Sequence, residues 1–185
     1  MLTLLPSKAV PMMTSDKVIA VFGSSRLESH DPEYERIREL GRQLARKGFV
    51  ICNGGYGGAM EASSRGAKEE GGRTIGVTIA GTACNEWTDR EEKQDSWKER
   101  LFTLINMAHG YVLCRGGTGT LVEFSCIWEM MQKRIIPPKP AVIFDVYWEK
   151  VMEILKNSPE IKNTSYFYHE SDPVKVSQVF VEKLM

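Results

Sequence analysis

Two glycine clusters hold most of the chemistry this sequence can carry: Gly54, Gly55, Gly57 and Gly58, and then Gly116, Gly117 and Gly119. Each follows a short apolar run and opens a segment of helical character. Glycine lets a backbone approach an anion closely, and the free amides at a helix start, backed by the helix dipole, hold a phosphate. Thr118 and Thr120 add two hydroxyls to the second cluster. Tight turns that need positive φ would select the same glycines. One cluster admits either reading; two in the same strand-to-helix context point to a nucleotide or sugar-phosphate site. Neither runs on into Gly-Lys-Ser/Thr, so neither is a Walker A loop.

Glu123 stands three residues after Thr120. That spacing fits a capping box, in which the glutamate returns a hydrogen bond to the cap residue. It equally fits a carboxylate free for chemistry beside a bound phosphate. The histidines, His30, His109 and His169, lie apart from the glycine clusters, and the cysteines, Cys52, Cys84, Cys114 and Cys126, form no CxxC pair. No metal site is therefore expected. Trp87 and Trp97 flank a polar stretch and are placed either to stack on a base or to pack.

The elements that must position these groups alternate. Apolar runs at 18–22, 49–52, 74–79, 111–114 and 141–144 read as strands buried on both faces. Helical segments are expected at 32–47, 57–71, 94–108, 121–134, 147–156 and 173–184, with a β-prone stretch at 165–168. Residues 80–92 read as a long site loop, and the run 89–95 as a solvated face. No hairpin signal interrupts the alternation. An α/β fold follows, with a doubly wound, mostly parallel sheet and helices on both faces. Residues 1–16 read as a flexible tail and 17–185 as a single nucleotide-binding domain. The apolar segment around Leu121, Val122, Phe124, Ile127, Trp128, Met130 and Met131 is expected either at a subunit interface or under neighbouring helices.

The chain has 185 residues, with 24 basic and 24 acidic side chains. A balanced charge supplies no field for a polyanion, so no nucleic-acid partner is expected, whereas one local pocket suffices for a small anion. No apolar run reaches the ~18 residues of a membrane span, so no membrane partner is expected either. Cys52 and Cys114, at the ends of apolar runs, suit a reducing cytoplasm.

The segment Gly116-Gly117-Thr118-Gly119-Thr120-Leu121-Val122-Glu123 resembles the GGxGTxxE signature of the Lonely Guy family, formerly described as lysine decarboxylases. The resemblance extends over about residues 17–156. Gly23-Ser24-Ser25 is similar to its first strand end, and residues 54–60 to its first glycine-rich turn. Arg100 falls where the family has an arginine ahead of the signature. The resemblance implies a modified Rossmann fold and a homodimer or higher homo-oligomer. It implies hydrolysis of the N-glycosidic bond of AMP or a cytokinin riboside 5′-monophosphate to free base and ribose 5-phosphate. It implies no metal or other cofactor, with Glu123 and Arg100 as the catalytic residues. On that reading the phosphate lies at Gly116, Gly117, Thr118, Gly119 and Thr120, and the base lies towards Gly23, Ser24, Ser25, Gly54, Gly55, Gly57, Gly58 and the polar loop. Lys98 and Arg90 are alternatives to Arg100 as the functional cation.

This chain departs from the family pattern at Arg115, Leu101, Trp97 and Glu61, where members carry proline, lysine, methionine and, in many cases, glycine. Arg115 either contacts phosphate or points to solvent. Related branches include molybdenum-cofactor carrier proteins, so a nucleotide- or pterin-phosphate-binding protein of the same fold is the rival expectation.

Overall fold

The structure is a computed structural model that describes residues 13, 15–161 and 163–185. The expected tail therefore lies outside the described residues except for Met13, Ser15 and Asp16. Asp16 is buried, and its carboxylate accepts two hydrogen bonds from the Arg73 guanidinium, at 2.6 and 2.5 Å.

Seven strands form one sheet in the order β4-β3-β2-β1-β5-β6-β7. They are β1 (Val18–Phe22), β2 (Val50–Asn53), β3 (Thr74–Ile79), β4 (Arg90–Gln94), β5 (Gly110–Leu113), β6 (Ala141–Ile143) and β7 (Phe167–His169). Every adjacent pair is parallel. The helices are α1 (Pro32–Arg46), α2 (Ala59–Glu69), α3 (Trp97–Met107), α4 (Thr118–Gln132), α5 (Val146–Lys156) and α6 (Pro173–Leu184).

The period-two pleat divides the core in two. Along β1, Val18, Ala20 and Phe22 face α3, α4 and α5, while Ile19 and Val21 face α1, α2 and α6. The expected doubly wound sheet with helices on both faces is thus present. The strand order reverses between β1 and β5, which opens a crevice at their carboxyl ends, where open α/β sheets bind ligands.

Three local expectations change. The run 89–95 is solvated, but it contains the edge strand β4, paired with β3 from Arg90 to Gln94. Its sequence, REEKQ, carries no apolar signal because an edge strand can satisfy its ladder on one side and keep charges in water on the other. The fourth helix starts at Thr118, three residues before the expected position. Its apolar side chains separate by face. Phe124, Ile127, Trp128, Met130 and Met131 are covered by neighbouring elements, and Leu121 and Val122 are exposed.

Helices α1 and α2 pack backbone to backbone at two glycines. A Cβ on Gly66 would overlap the Arg38 carbonyl oxygen, and one on Gly41 would overlap the Ser63 carbonyl oxygen. Backbone cannot yield as a side chain can. Gly66→Ala is therefore expected to lower stability by roughly 1–3 kcal/mol, as overpacked cores do, read from the urea unfolding midpoint.

Candidate functional site

The carboxyl ends of β1 and β5 open into a cleft of about 660 Å³. Its lining includes Gly23, Ser24, Ser25 and Arg26 after β1, Gly54, Tyr56 and Met60 around the second turn, Ile79 from β3, and Trp97 and Arg100 from α3. Gly117, Thr118, Gly119, Thr120 and Glu123 complete it from α4. One cavity thus gathers residues from five segments that lie up to about a hundred positions apart in sequence.

Glycine allows these loops to meet. The Ser24 amide donates to the Arg115 carbonyl at 2.9 Å, and the Ala59 amide donates to the Ser24 carbonyl at 2.8 Å. A Cβ on Gly58, whose φ is +67°, would strike the Ser24 carbonyl oxygen, and one on Gly23 would lie 2.7 Å from the Ala59 Cβ. Gly55 has φ +76° and Gly116 sits beneath the Thr120 hydroxyl. Gly55, Gly57, Gly58 and Gly116 do not line the cleft. Conformation and close packing account for Gly55, Gly58 and Gly116; Gly57 has neither a positive φ nor a tight neighbour. Gly117 and Gly119 differ, because a Cβ on either would meet nothing within 4 Å. These two leave room in front of the first turn of α4.

That turn carries the anion-binding potential. Gly117 is the N-cap residue and supplies no side-chain cap. The amides of Thr118, Gly119 and Thr120 have no carbonyl a turn behind them in the helix, and the helix dipole adds partial positive charge there. The early start of α4 also removes the capping-box reading of Glu123. With Gly117 as the cap, Thr120 is the third helical residue and Glu123 the sixth, beyond reach of the cap amide. Gly119, Thr120 and Glu123 share one face of the helix and all line the cleft.

Glu123 accepts no hydrogen bond or ion pair from any described residue. Burial pushes its carboxyl up to about 8, and the nearby Arg100 charge acts in the opposite sense without reversing the shift. The shift favours the neutral acid.

Arg100 is only 8% exposed, yet it forms no ion pair with a described carboxylate. Its Nε–H donates to the Val77 carbonyl at 2.8 Å, and its guanidinium lies 5.0 Å from the centre of the Tyr56 ring. A Cβ on Gly54 would overlap the Arg100 Nη2, so the missing side chain at Gly54 makes the space this guanidinium occupies. A side-chain N-cap stands just ahead of it. The Ser96 side chain accepts from the Glu99 amide and donates to the Glu99 carboxylate, which fixes the first turn of α3.

The alternative cations lie elsewhere. Lys98 is exposed outside the cleft, and Arg90 pairs with Glu92 on β4. Arg115 is exposed and lies over the Tyr147 ring at 5.8 Å, outside the cleft lining. Trp87 also stays out, with the Arg65 guanidinium 5.3 Å from its ring centre.

Sequence reasoning did not single out Arg26, Tyr56, Met60 or Ile79 for the site. Tyr56 had a visible signal, since it is the one bulky residue between two glycine pairs. It also missed Asn53, which is fully buried and organises the first turn. Its side-chain oxygen accepts from the Gly55 amide at 2.9 Å, and its amide donates to the Met60 carbonyl and to the Ser63 and Ser64 hydroxyls.

Among the described residues, no group of three or more His, Cys, Asp or Glu side chains is placed to hold a metal ion. No described helix is long and apolar enough to cross a membrane.

Residues 16–170 match the SLOG cluster4 family. The chain is 27% identical over 121 residues to a cytokinin riboside 5′-monophosphate phosphoribohydrolase of Mycobacterium tuberculosis, a match covering 63% of this chain and 64% of that protein. It is 27% identical over 128 residues to a pyrimidine/purine nucleotide 5′-monophosphate nucleosidase of Escherichia coli K12, covering 63% of this chain but 28% of that protein. In fold it resembles the molybdenum cofactor carrier protein of Chlamydomonas reinhardtii, with a TM-score of 0.73, 22% identity, and coverage of 90% of this chain and 97% of that one.

Proposed function

The chain belongs to the SLOG cluster4 family, and from that premise we propose that it hydrolyses the N-glycosidic bond of a nucleoside 5′-monophosphate, releasing free base and ribose 5-phosphate. The observation that carries this reading is one cleft holding three things together: the open first turn of α4, the half-buried Glu123 carboxyl, pushed up to about 8, and a buried, unpaired cation at Arg100. A protein that only carried a phosphorylated ligand would have no use for a desolvated acid next to its anion site. The distant relatives named as monophosphate nucleosidase and phosphoribohydrolase point the same way.

In this mechanism the 5′-phosphate sits against the amides of Thr118, Gly119 and Thr120, and its binding energy orients the sugar. The bond from C1′ to the base nitrogen breaks with its electron pair passing to the base, which takes the Glu123 proton. The carboxylate left behind stabilises the oxocarbenium character at C1′, as in glycoside hydrolysis. Water adds to C1′, and the proton it loses restores Glu123. Arg100 stabilises the carboxylate between the two steps, or the phosphate, since its planar fork suits both.

The deciding assay incubates the protein with AMP and follows adenine by chromatography. Adenine appearing with an equal amount of ribose 5-phosphate supports the reading. Saturable AMP binding with no turnover, either of AMP or of an N6-substituted analogue, would replace the enzyme by a carrier.

The acid role sets a pH profile. A carboxyl held up to about 8 is protonated and competent at neutral pH. Above that value kcat/KM for AMP is expected to fall by about tenfold per pH unit. A rate that climbs to a plateau above pH 8 would instead make the carboxylate the working form.

A further inference from the structure

We propose that Trp97 is the platform on which the base stacks, and that it makes the cleft selective for two-ring purines over one-ring pyrimidines. The inference rests on the reading above, in which the nucleotide lies with its phosphate at α4, and it adds the residue that selects the base.

The cleft has two chemically different walls. The residues after β1 and β5 are glycine, serine and threonine with Arg26, followed on α4 by Glu123. The apolar part of the lining includes Tyr56, Met60, Ile79 and Trp97. A ligand that spans it is polar and anionic at one end and flat and apolar at the other.

Trp97 is the member of that wall with a face to offer. It is 52% exposed, whereas Met60 is 7% exposed and the Tyr56 ring already faces the Arg100 guanidinium. The three other tryptophans are in use. Trp87 faces Arg65, Trp128 stacks on Phe124 and donates to the Asn163 carbonyl, and Trp148 donates to the Cys114 carbonyl. Among the described residues, the Trp97 ring meets no other aromatic ring or cation, and its Nε1–H has no acceptor. An indole left in water forfeits the stabilisation that burial would bring, and a base stacked on it recovers that.

Its placement is held from below. Trp97 is the first residue of α3, directly after the Ser96 cap, and Arg100 lies one turn on, so both side chains project from one helix face into the same cleft. A purine on the indole would therefore present its glycosidic bond near Arg100 and Glu123. A two-ring base covers more of the indole than a one-ring base and removes more apolar surface from water, which is why the larger base is favoured.

The test measures binding by calorimetry in a Glu123→Gln background, so that turnover does not interfere. The probes are AMP, UMP and ribose 5-phosphate. Trp97→Ala is expected to weaken AMP by about ten- to a hundredfold, to leave ribose 5-phosphate within about twofold, and to erase the preference for AMP over UMP. Trp97→Phe is expected to restore most of the AMP affinity. AMP is expected to quench tryptophan fluorescence, and the quench is expected to disappear in Trp97→Phe. Unchanged AMP affinity in Trp97→Ala overturns the proposal. So does an equal loss of AMP and ribose 5-phosphate, which would mark a structural role. If ribose 5-phosphate does not bind the parent protein at all, the phosphate site itself fails, and that outcome is distinct from either result at Trp97.

Discussion

Glu123→Gln is expected to lower kcat for AMP hydrolysis by about a thousandfold, within the usual range for loss of a general acid. Glutamine keeps the shape and the hydrogen-bonding capacity of the side chain but has no proton to give and no negative charge to leave behind. AMP binding is expected to survive, because the proposed phosphate contacts are main-chain amides of the first turn of α4 and do not depend on residue 123. The same variant has a stability signature that a purely structural glutamate would not show. The folded carboxyl holds its proton up to about 8, against an ordinary value of 4.5. Between those values the unfolded chain releases a proton that the folded chain keeps. Folding is therefore penalised progressively as pH rises through that window. Glutamine has no such penalty. Its melting temperature is expected to match the parent below pH 4.5 and to exceed it at pH 8 and above. Thermal unfolding across that range checks the sign. Retained turnover would remove Glu123 from the chemistry, and a lower melting temperature at pH 8 would show that it is not a desolvated acid.

Gly54→Ala is expected to lower kcat/KM for AMP by about a hundredfold, the size of effect that a 1 Å displacement of a positioned group produces, while leaving the protein folded. A Cβ at this position overlaps the Arg100 Nη2 and would lie 2.7 Å from the Met60 Sδ. Both are ends of flexible side chains, so the backbone need not move and the fold is not threatened. The guanidinium must leave its place between the Val77 carbonyl and the Tyr56 ring. Charge, burial and the number of donors are all retained. The substitution thus tests position alone, which Arg100→Ala cannot, because removing the side chain also opens a cavity. Steady-state kinetics report the loss, and an unchanged urea midpoint shows that folding is intact. Wild-type kinetics in Gly54→Ala would mean that the position of Arg100 is immaterial.

The balance between sequence and structure differs from element to element. Strands such as VIAVF and TIGVTI were legible because a strand buried on both faces must be apolar throughout. Strand β4 was not, because an edge strand has one wet side and REEKQ satisfies it with charges. The start of α4 was misjudged because Gly117, Thr118 and Gly119 are poor helix formers by local preference. Their helical start comes instead from the rest of the helix packing against the sheet. That shift of three residues decides what Glu123 is: a cap residue if the helix begins at Leu121, and a free acid on the cleft face if it begins at Thr118.

The candidate site divides in the same way. Which residue types are available, an open glycine-rich turn, a glutamate and an upstream arginine, is written in local spacing. The strand-helix alternation already requires a parallel sheet with its loops gathered at one end. Only the tertiary structure put Arg100 in the cleft lining and left Lys98, Arg90 and Arg115 out of it, and brought Trp97 in. Those choices depend on which side chains share a volume, and no spacing along a chain encodes the distance between the ends of two strands about thirty or ninety residues apart. The shift of Glu123 has the same origin, since burial is set by what packs around a carboxyl and not by its neighbours in sequence.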